Sequence, residues 1–213
     1  MSLADELRPE DFDAVVGQES AIKKLKFLQS RGGLAGRSYW FSGLSGTGKT
    51  TLARIISRIV SPQFNEELDV GQCTLSRIAQ WEAKTKCKPI DGTGWILTVN
   101  EAHGMKKDAI RHFLDVMERL PSYAAIVFTT TIEGQLSLFE DNLDASPLTS
   151  RCTVLDLESR GEKLETQFAI YLRKISRERG LGDRPLSDYV ALVRRHKFNL
   201  RACIQSLESG EML

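Results

Sequence analysis

Residues 43–50 read "GLSGTGKT" and fit the pattern G-x-x-x-x-G-K-[ST] in full. The residue types at this spacing suit one task. Glycines let the backbone curl until several N–H groups face a single point, where a phosphate can sit. Lys49 then reaches the β- and γ-phosphates of a nucleotide, and the Thr50 hydroxyl is a ligand for Mg²⁺. The flanks agree with this reading. "YWFSG" ahead of the loop is a short aromatic strand. Residues 50–60 place Leu52, Ile55, Ile56 and Ile59 on one face of a helix, whose positive N-terminal end aims at the same anion. The residues expected around the phosphates are Gly43, Ser45, Gly46, Thr47, Gly48, Lys49, Thr50 and Thr51.

Outward from the loop, helical and extended patterns alternate. Residues 19–30 space Ile22, Leu25 and Leu28 three apart, which predicts an amphipathic helix, and "RGGLAGRS" after it is a loop. Residues 66–70 read as a short strand and 74–84 as a helix. "GWILTV" and "AAIVFTTT" are apolar runs of strand length, suited to the buried middle of a parallel sheet. Between them, residues 106–119 put Ile110, Phe113, Leu114 and Met117 on one helical face. From about residue 160 only helical spacing remains, in three segments marked by Leu164 and Phe168, by Leu186 and Val190, and by Leu200 and Ile204. The sequence therefore predicts an α/β domain over residues 1–158, a parallel sheet flanked by helices, then a small three-helix domain over 159–213.

Composition removes several classes. The 213 residues are 41% hydrophobic and carry a net charge of +1, so any nucleic-acid contact must come from a local patch. No apolar run approaches a membrane span, and "MSLADELRPEDF" lacks the apolar core of a signal peptide. The expectation is a soluble, cytoplasmic protein. Cys73, Cys87, Cys152 and Cys203 form no C-x-x-C pair, and His103, His112 and His196 are scattered, so no zinc site is expected.

A second site is expected at the end of "WILTVNEAHG", residues 95–104. Nucleotide hydrolases with this loop usually end such a strand with an Asp that helps hold Mg²⁺ through its water shell, and a following Glu polarises the attacking water. Glu101 fits the second task. Asn100 stands where the Asp is expected and keeps one oxygen acceptor without the charge. A neutral ligand holds a hard dication less tightly, by roughly a few kcal/mol at an effective dielectric near 20. Metal affinity should fall and hydrolysis should slow. Two readings stay open: a tolerated exchange in a working ATPase, or a subunit that chiefly holds ATP.

Taken together, the motifs form an ordered set. "LRPEDFDAVVGQESAIKKLK", "GLSGTGKTTLARIIS", "NEAHGMKKDAIRHFLDVMERLP", "IVFTTT", "LTSRC" and "NLRACIQSLE" follow one another over residues 6 to about 208. This set resembles the AAA+ ATPases of the DNA sliding-clamp loader family, in particular the motor subunits of the replication factor C and bacterial DNA polymerase III gamma/tau types. The resemblance implies an AAA+ sheet domain with a helical lid, ATP and Mg²⁺ as cofactors, other AAA+ subunits as partners, and work on a sliding clamp and primed DNA. Residue by residue, it implies that Val15 and Val16 line the adenine pocket beside Arg8 and Pro9. Thr131, or Thr130, would stand near the γ-phosphate as sensor 1. Arg151 would act as an arginine finger in the neighbouring subunit's site, and Arg201 would reach the γ-phosphate from the lid as sensor 2. Backbone-tracking contacts to DNA would come from Thr74, Ser76 and Arg77 and from Lys106 and Lys107.

The sequence departs from the family in three places. Asn100 is the first. Bacterial relatives carry a four-cysteine zinc module within the stretch equivalent to 61–94, where this chain has only Cys73 and Cys87, so the module is expected to be absent. Family subunits also continue into a helical collar, whereas this sequence ends at "ESGEML" soon after the lid. Either the collar has been removed, or assembly relies on ATP and partners. A Holliday-junction motor or a transposition regulator would instead predict a DNA-binding domain after the lid or a different finger motif.

Overall fold

Five strands pair in parallel in the order β2-β3-β4-β1-β5: β1 (Arg37–Ser42), β2 (Asn65–Asp69), β3 (Trp95–Asn100), β4 (Ala124–Thr130) and β5 (Thr153–Asp156). The computed structural model describes residues 2–91, 93–132, 134–135 and 145–212. β4 is buried along its whole length and β1 nearly so, which is why both read as unbroken apolar runs. β2 lies at the edge and buries only Leu68 of "NEELD". Charged side chains on such an edge discourage further strand pairing.

Alternation along the strands feeds two apolar layers. Tyr39, Phe41, Ile96 and Val127 pack against Leu25 of α2 (Glu19–Ser30) and Leu52, Ile55 and Ile56 of α3 (Lys49–Val60). Trp40, Leu97, Val99 and Phe128 turn to the other face. There they meet Ile78 and Trp81 of α4 (Leu75–Thr85) and Phe113 of α5 (Lys107–Glu118). Phe113 stands edge-on to Phe128 with centroids 5.0 Å apart. A third cluster joins α7 (Glu162–Glu178), α8 (Leu186–Arg195) and α9 (Leu200–Glu208) through Phe168, Leu172, Tyr189, Val193 and Leu207. Leu3, on the short α1 (Leu3–Glu6), is buried in this cluster too, so the start of the chain packs with its end.

Three details differ from the sequence reading. β1 begins at Arg37, inside the stretch read as loop. α6 (Ala145–Ser150) and β5 were not anticipated, since four residues of "TVLD" are too few to show a period. Ile59 is 41% exposed, while Val60 turns inward at the end of α3. Among the described residues, no helix is long and apolar enough to cross a membrane, and the four cysteines are free thiols.

Candidate nucleotide site

The carboxyl ends of β1, β3 and β4 open on one side of the sheet, because all strands run the same way. The chain leaves β1 at Ser42 and enters α3 at Lys49, so the glycine loop occupies this turn. Gly43, Gly46 and Gly48 have φ of 157°, 76° and 106°. Gly46 is also constrained by space. A Cβ there would lie 1.9 Å from Asn199 Oδ1, on the residue that caps α9. Lys49 is buried, and its Nζ donates to the carbonyls of Gly43 at 2.8 Å and Leu44 at 2.7 Å. Thr47 Oγ1 donates to the Leu44 carbonyl, and the Leu44 N–H donates to Ser159 Oγ at 3.1 Å. The ammonium is thus held in the curl of the loop, where it can meet phosphate oxygens.

One cleft gathers most of the predicted residues. It is lined by Ser45 to Thr51 of the loop, by Val15, Val16, Arg8 and Pro9 on one side, and by Glu101, Thr131 and Arg201 on others. Phe168, Tyr171, Leu200 and Ile204 of the C-terminal helices, with Ala4 and Leu7, complete the wall, and the sequence reading gave none of them a role at the site. Arg201 stands on the first turn of α9. Asp5 lies near it: hydrogen bonds from Ser2 and Arg8 hold that carboxyl below its usual range, and Arg201 adds to the effect.

The strand ends bring in the other candidates. Glu101 has φ of 54°, a left-handed conformation that costs of order 1 kcal/mol or more for a residue with a Cβ. The turn throws its half-exposed carboxylate into the cleft, with His103 Nδ1 at 3.5 Å. Thr131 Oγ1 accepts from the Gly134 N–H, whereas Thr130 is buried and meets His103 Nδ1 at 3.1 Å. Of the two threonines, Thr131 is the one on the cleft. Asn100 does not line it. Its Nδ2 donates to Glu67 Oε1 at 2.7 Å, and its Oδ1 accepts from Thr129 Oγ1 at 3.0 Å. Of the side chains on the cleft, Thr50 and Glu101 carry the hard oxygen donors that Mg²⁺ prefers, so these two fit that ion.

The cleft is braced by a side chain that sequence reasoning passed over. Gln18 is buried, and its amide exchanges two hydrogen bonds with the backbone of Glu158: Nε2 to the carbonyl at 2.8 Å, and Oε1 from the N–H at 2.7 Å. Gly17 beside it has φ of 72°, and a Cβ would come within 2.5 Å of Leu164 Cδ1. The "VVGQ" segment therefore fixes the junction between the sheet and α7. Its motif position was a usable signal; its contact was not.

The geometry matches solved proteins. The Thermotoga maritima RuvB Holliday junction branch migration motor superposes with a TM-score of 0.69 at 20% identity, covering 95% of this chain and 64% of that one. The fold is AAA+. Among curated AAA+ relatives, the DNA polymerase III subunit gamma/tau of Mycoplasma genitalium is 27% identical over 155 residues, 62% of this chain and 26% of that protein. The replication factor C small subunit of Methanothermobacter thermautotrophicus is 26% identical over 156 residues, 70% of this chain and 46% of that protein. These are the two types to which the ordered motifs pointed. The chain spans between 26% and 51% of the length of the curated relatives it matches. No family model matches it.

Within this AAA+ fold, the remaining candidates lie away from the cleft. Arg151 follows α6 and stands two residues before the first residue of β5, Thr153, which pairs with Tyr39 near the start of β1. It therefore sits toward the end of the sheet opposite the glycine loop. Its guanidinium pairs with Glu118 of α5 at 2.7 Å and donates to the Pro147 carbonyl. Thr74 caps α4 by accepting from the Arg77 N–H, and Lys106 precedes α5. The turns leading into these two helices touch, since a Cβ on Gly104 would lie 3.1 Å from Val70 Cγ1. Thr74, Ser76, Arg77, Lys106 and Lys107 are all exposed near that pair of helix starts. Arg77 also lies 3.7 Å from Glu66.

Proposed function

We propose that this chain binds Mg²⁺–ATP in the cleft and hydrolyses it as one subunit of an AAA+ assembly that acts on primed DNA and a sliding clamp. The observation that carries the reading is the convergence on one cleft of Lys49, Thr50, Glu101, Thr131 and Arg201, residues spread over some 150 positions. Loop amides and Lys49 take the phosphates, and Thr50 with the strand-end oxygens holds the metal, which supplies charge neutralisation on the phosphates when bound. Val15 and Val16 take the adenine. Glu101 orients and polarises the attacking water. Thr131 and Arg201 contact the γ-phosphate from the sheet and from the helical side. Arg151 faces away from its own cleft and serves a neighbour's, where a guanidinium stabilises charge in the transition state. The exposed starts of α4 and α5 are the surface for the DNA backbone.

A second reading is favoured by Asn100 and by the position of Arg151: an ATP-holding subunit that turns over slowly and lends its arginine to a more active partner. Steady-state hydrolysis by the purified chain with Mg²⁺, with and without primed DNA and clamp, separates them. Turnover raised by primed DNA is the expected result. Tight ATP binding without turnover would select the second reading, and no ATP binding would overturn both.

A further inference from the structure

Asn100 is the residue on which the expected metal position lacks its charge, and a carboxylate of the next strand stands beside it. β2 and β3 pair with Glu67 opposite Thr98 and Asp69 opposite Asn100. Alternation places Glu67, Asp69, Thr98 and Asn100 on one face of the sheet, the face that Ile96 shares with α3. Two carboxylates thus lie on the edge strand beside a neutral strand end. Asp69 is committed elsewhere, since it caps the turn at Val70–Gln72. Glu67 is exposed at the sheet edge, and its carboxylate reaches sideways to two neighbours. Its Oε1 accepts from Asn100 Nδ2 at 2.7 Å, and its Oε2 accepts from Arg54 Nε at 3.3 Å. Arg54 is one helical turn beyond Thr50 on α3, so Glu67 spans from the helix that bears Thr50 to the strand end that bears Asn100.

We propose that Glu67 supplies the negative charge of the metal site and fixes the orientation of the Asn100 amide. The claim rests on the nucleotide reading above and names a residue of that site. The amide argument is one of donors and acceptors. With Nδ2 toward the carboxylate and Oδ1 toward the Thr129 hydroxyl, each of the two contacts joins a donor to an acceptor. Turned over, Nδ2 could still donate to the Thr129 hydroxyl oxygen, but Oδ1 would face a carboxylate oxygen with no proton between them, so the Glu67 carboxylate selects the first state. The second lone pair of Oδ1 is then available to a metal-bound water. Asn100 and Glu67 together carry the charge of a single carboxylate, displaced by one strand, with Arg54 of α3 as its counter-ion. It follows that Asn100→Asp alone does not restore an ordinary site, because it sets two carboxylates within hydrogen-bond distance of each other.

The test is the affinity of a fluorescent ATP analogue, measured in Mg²⁺ and again in EDTA, so that the readout is metal dependence rather than turnover. Glu67 lies at an exposed sheet edge, where glutamine fits. Glu67→Gln is expected to lose about tenfold of the tightening that Mg²⁺ brings, with the EDTA affinity unchanged. The double variant Glu67→Gln with Asn100→Asp, which returns the charge to β3, is expected to regain it. Arg54→Met keeps Glu67 and is expected to keep the tightening. Full Mg²⁺ tightening in Glu67→Gln would overturn the proposal and leave the nucleotide reading standing. Equal losses in Glu67→Gln and Arg54→Met would overturn it too, by showing an effect of the ion pair. A native chain that binds no analogue in either condition would remove the nucleotide reading itself.

Discussion

The glycine loop and the strand ends share one cleft but are held by different means. The loop is mostly backbone: its shape follows from three glycines with positive φ and from a lysine anchored on two of the loop's own carbonyls. The strand ends depend on side chains from neighbouring strands. Asn100 is held by Glu67 of β2 and Thr129 of β4, and His103 stands between Glu101 and Thr130. A backbone device is complete within eight residues and either is present or is not. A side-chain device is distributed, so one of its members can change while another compensates. On the proposal made above, that difference lets a full phosphate loop stand beside a neutral strand end.

Three variants would break or sharpen the contrast. Glu101→Gln removes the carboxylate proposed to polarise the water and leaves the loop intact, so turnover should fall by about 10²–10⁴-fold with nucleotide affinity nearly unchanged. Single-turnover kinetics beside an equilibrium titration would check this, and a parallel loss of affinity would show that the two halves are not separable. Lys49→Ala strikes the loop. The loss of a charge-assisted contact of about 1.5–3 kcal/mol should weaken nucleotide binding by roughly 10- to 150-fold. Titration of the labelled nucleotide measures it, and native affinity would contradict the placement of Lys49 at the phosphates. Gln18→Ala touches neither half and leaves the backbone N–H and carbonyl of Glu158 unmatched at a part-buried junction. A loss of about 1–3 kcal/mol in thermal or denaturant unfolding is expected. An unchanged midpoint would mean that water takes over both bonds.

The sequence was most readable where one segment does the whole task. "GLSGTGKT" announces its backbone, and the period of Ile110 and Phe113 announces α5, because each signal is local. The ordered motifs also carried the AAA+ reading. Glu67 was invisible. Nothing in "NEELD" says which carboxylate reaches Asn100 until the register sets Glu67 opposite Thr98 and Asp69 caps its turn. Asn199 was equally hidden, since its closeness to Gly46 depends on how α9 lies over the loop. β5 was missed for a simpler reason: its four residues are flanked by "LTSRC" and a polar segment, and its pairing with β1 is what makes it a strand.

The bridge from Gln18 to Glu158 also sets how freely each of its two positions can vary. Gln18 offers a side-chain carbonyl and amide at a fixed reach, a combination that no other residue supplies at the same length. At position 158 the contact is made entirely by main-chain atoms. Nineteen residue types present the same N–H and carbonyl there, and only proline lacks the donor. Position 158 can therefore drift under mutation with the bridge intact, while position 18 cannot. A saturation library read out by folding should show the two ends of one interaction as a narrow column and a broad one.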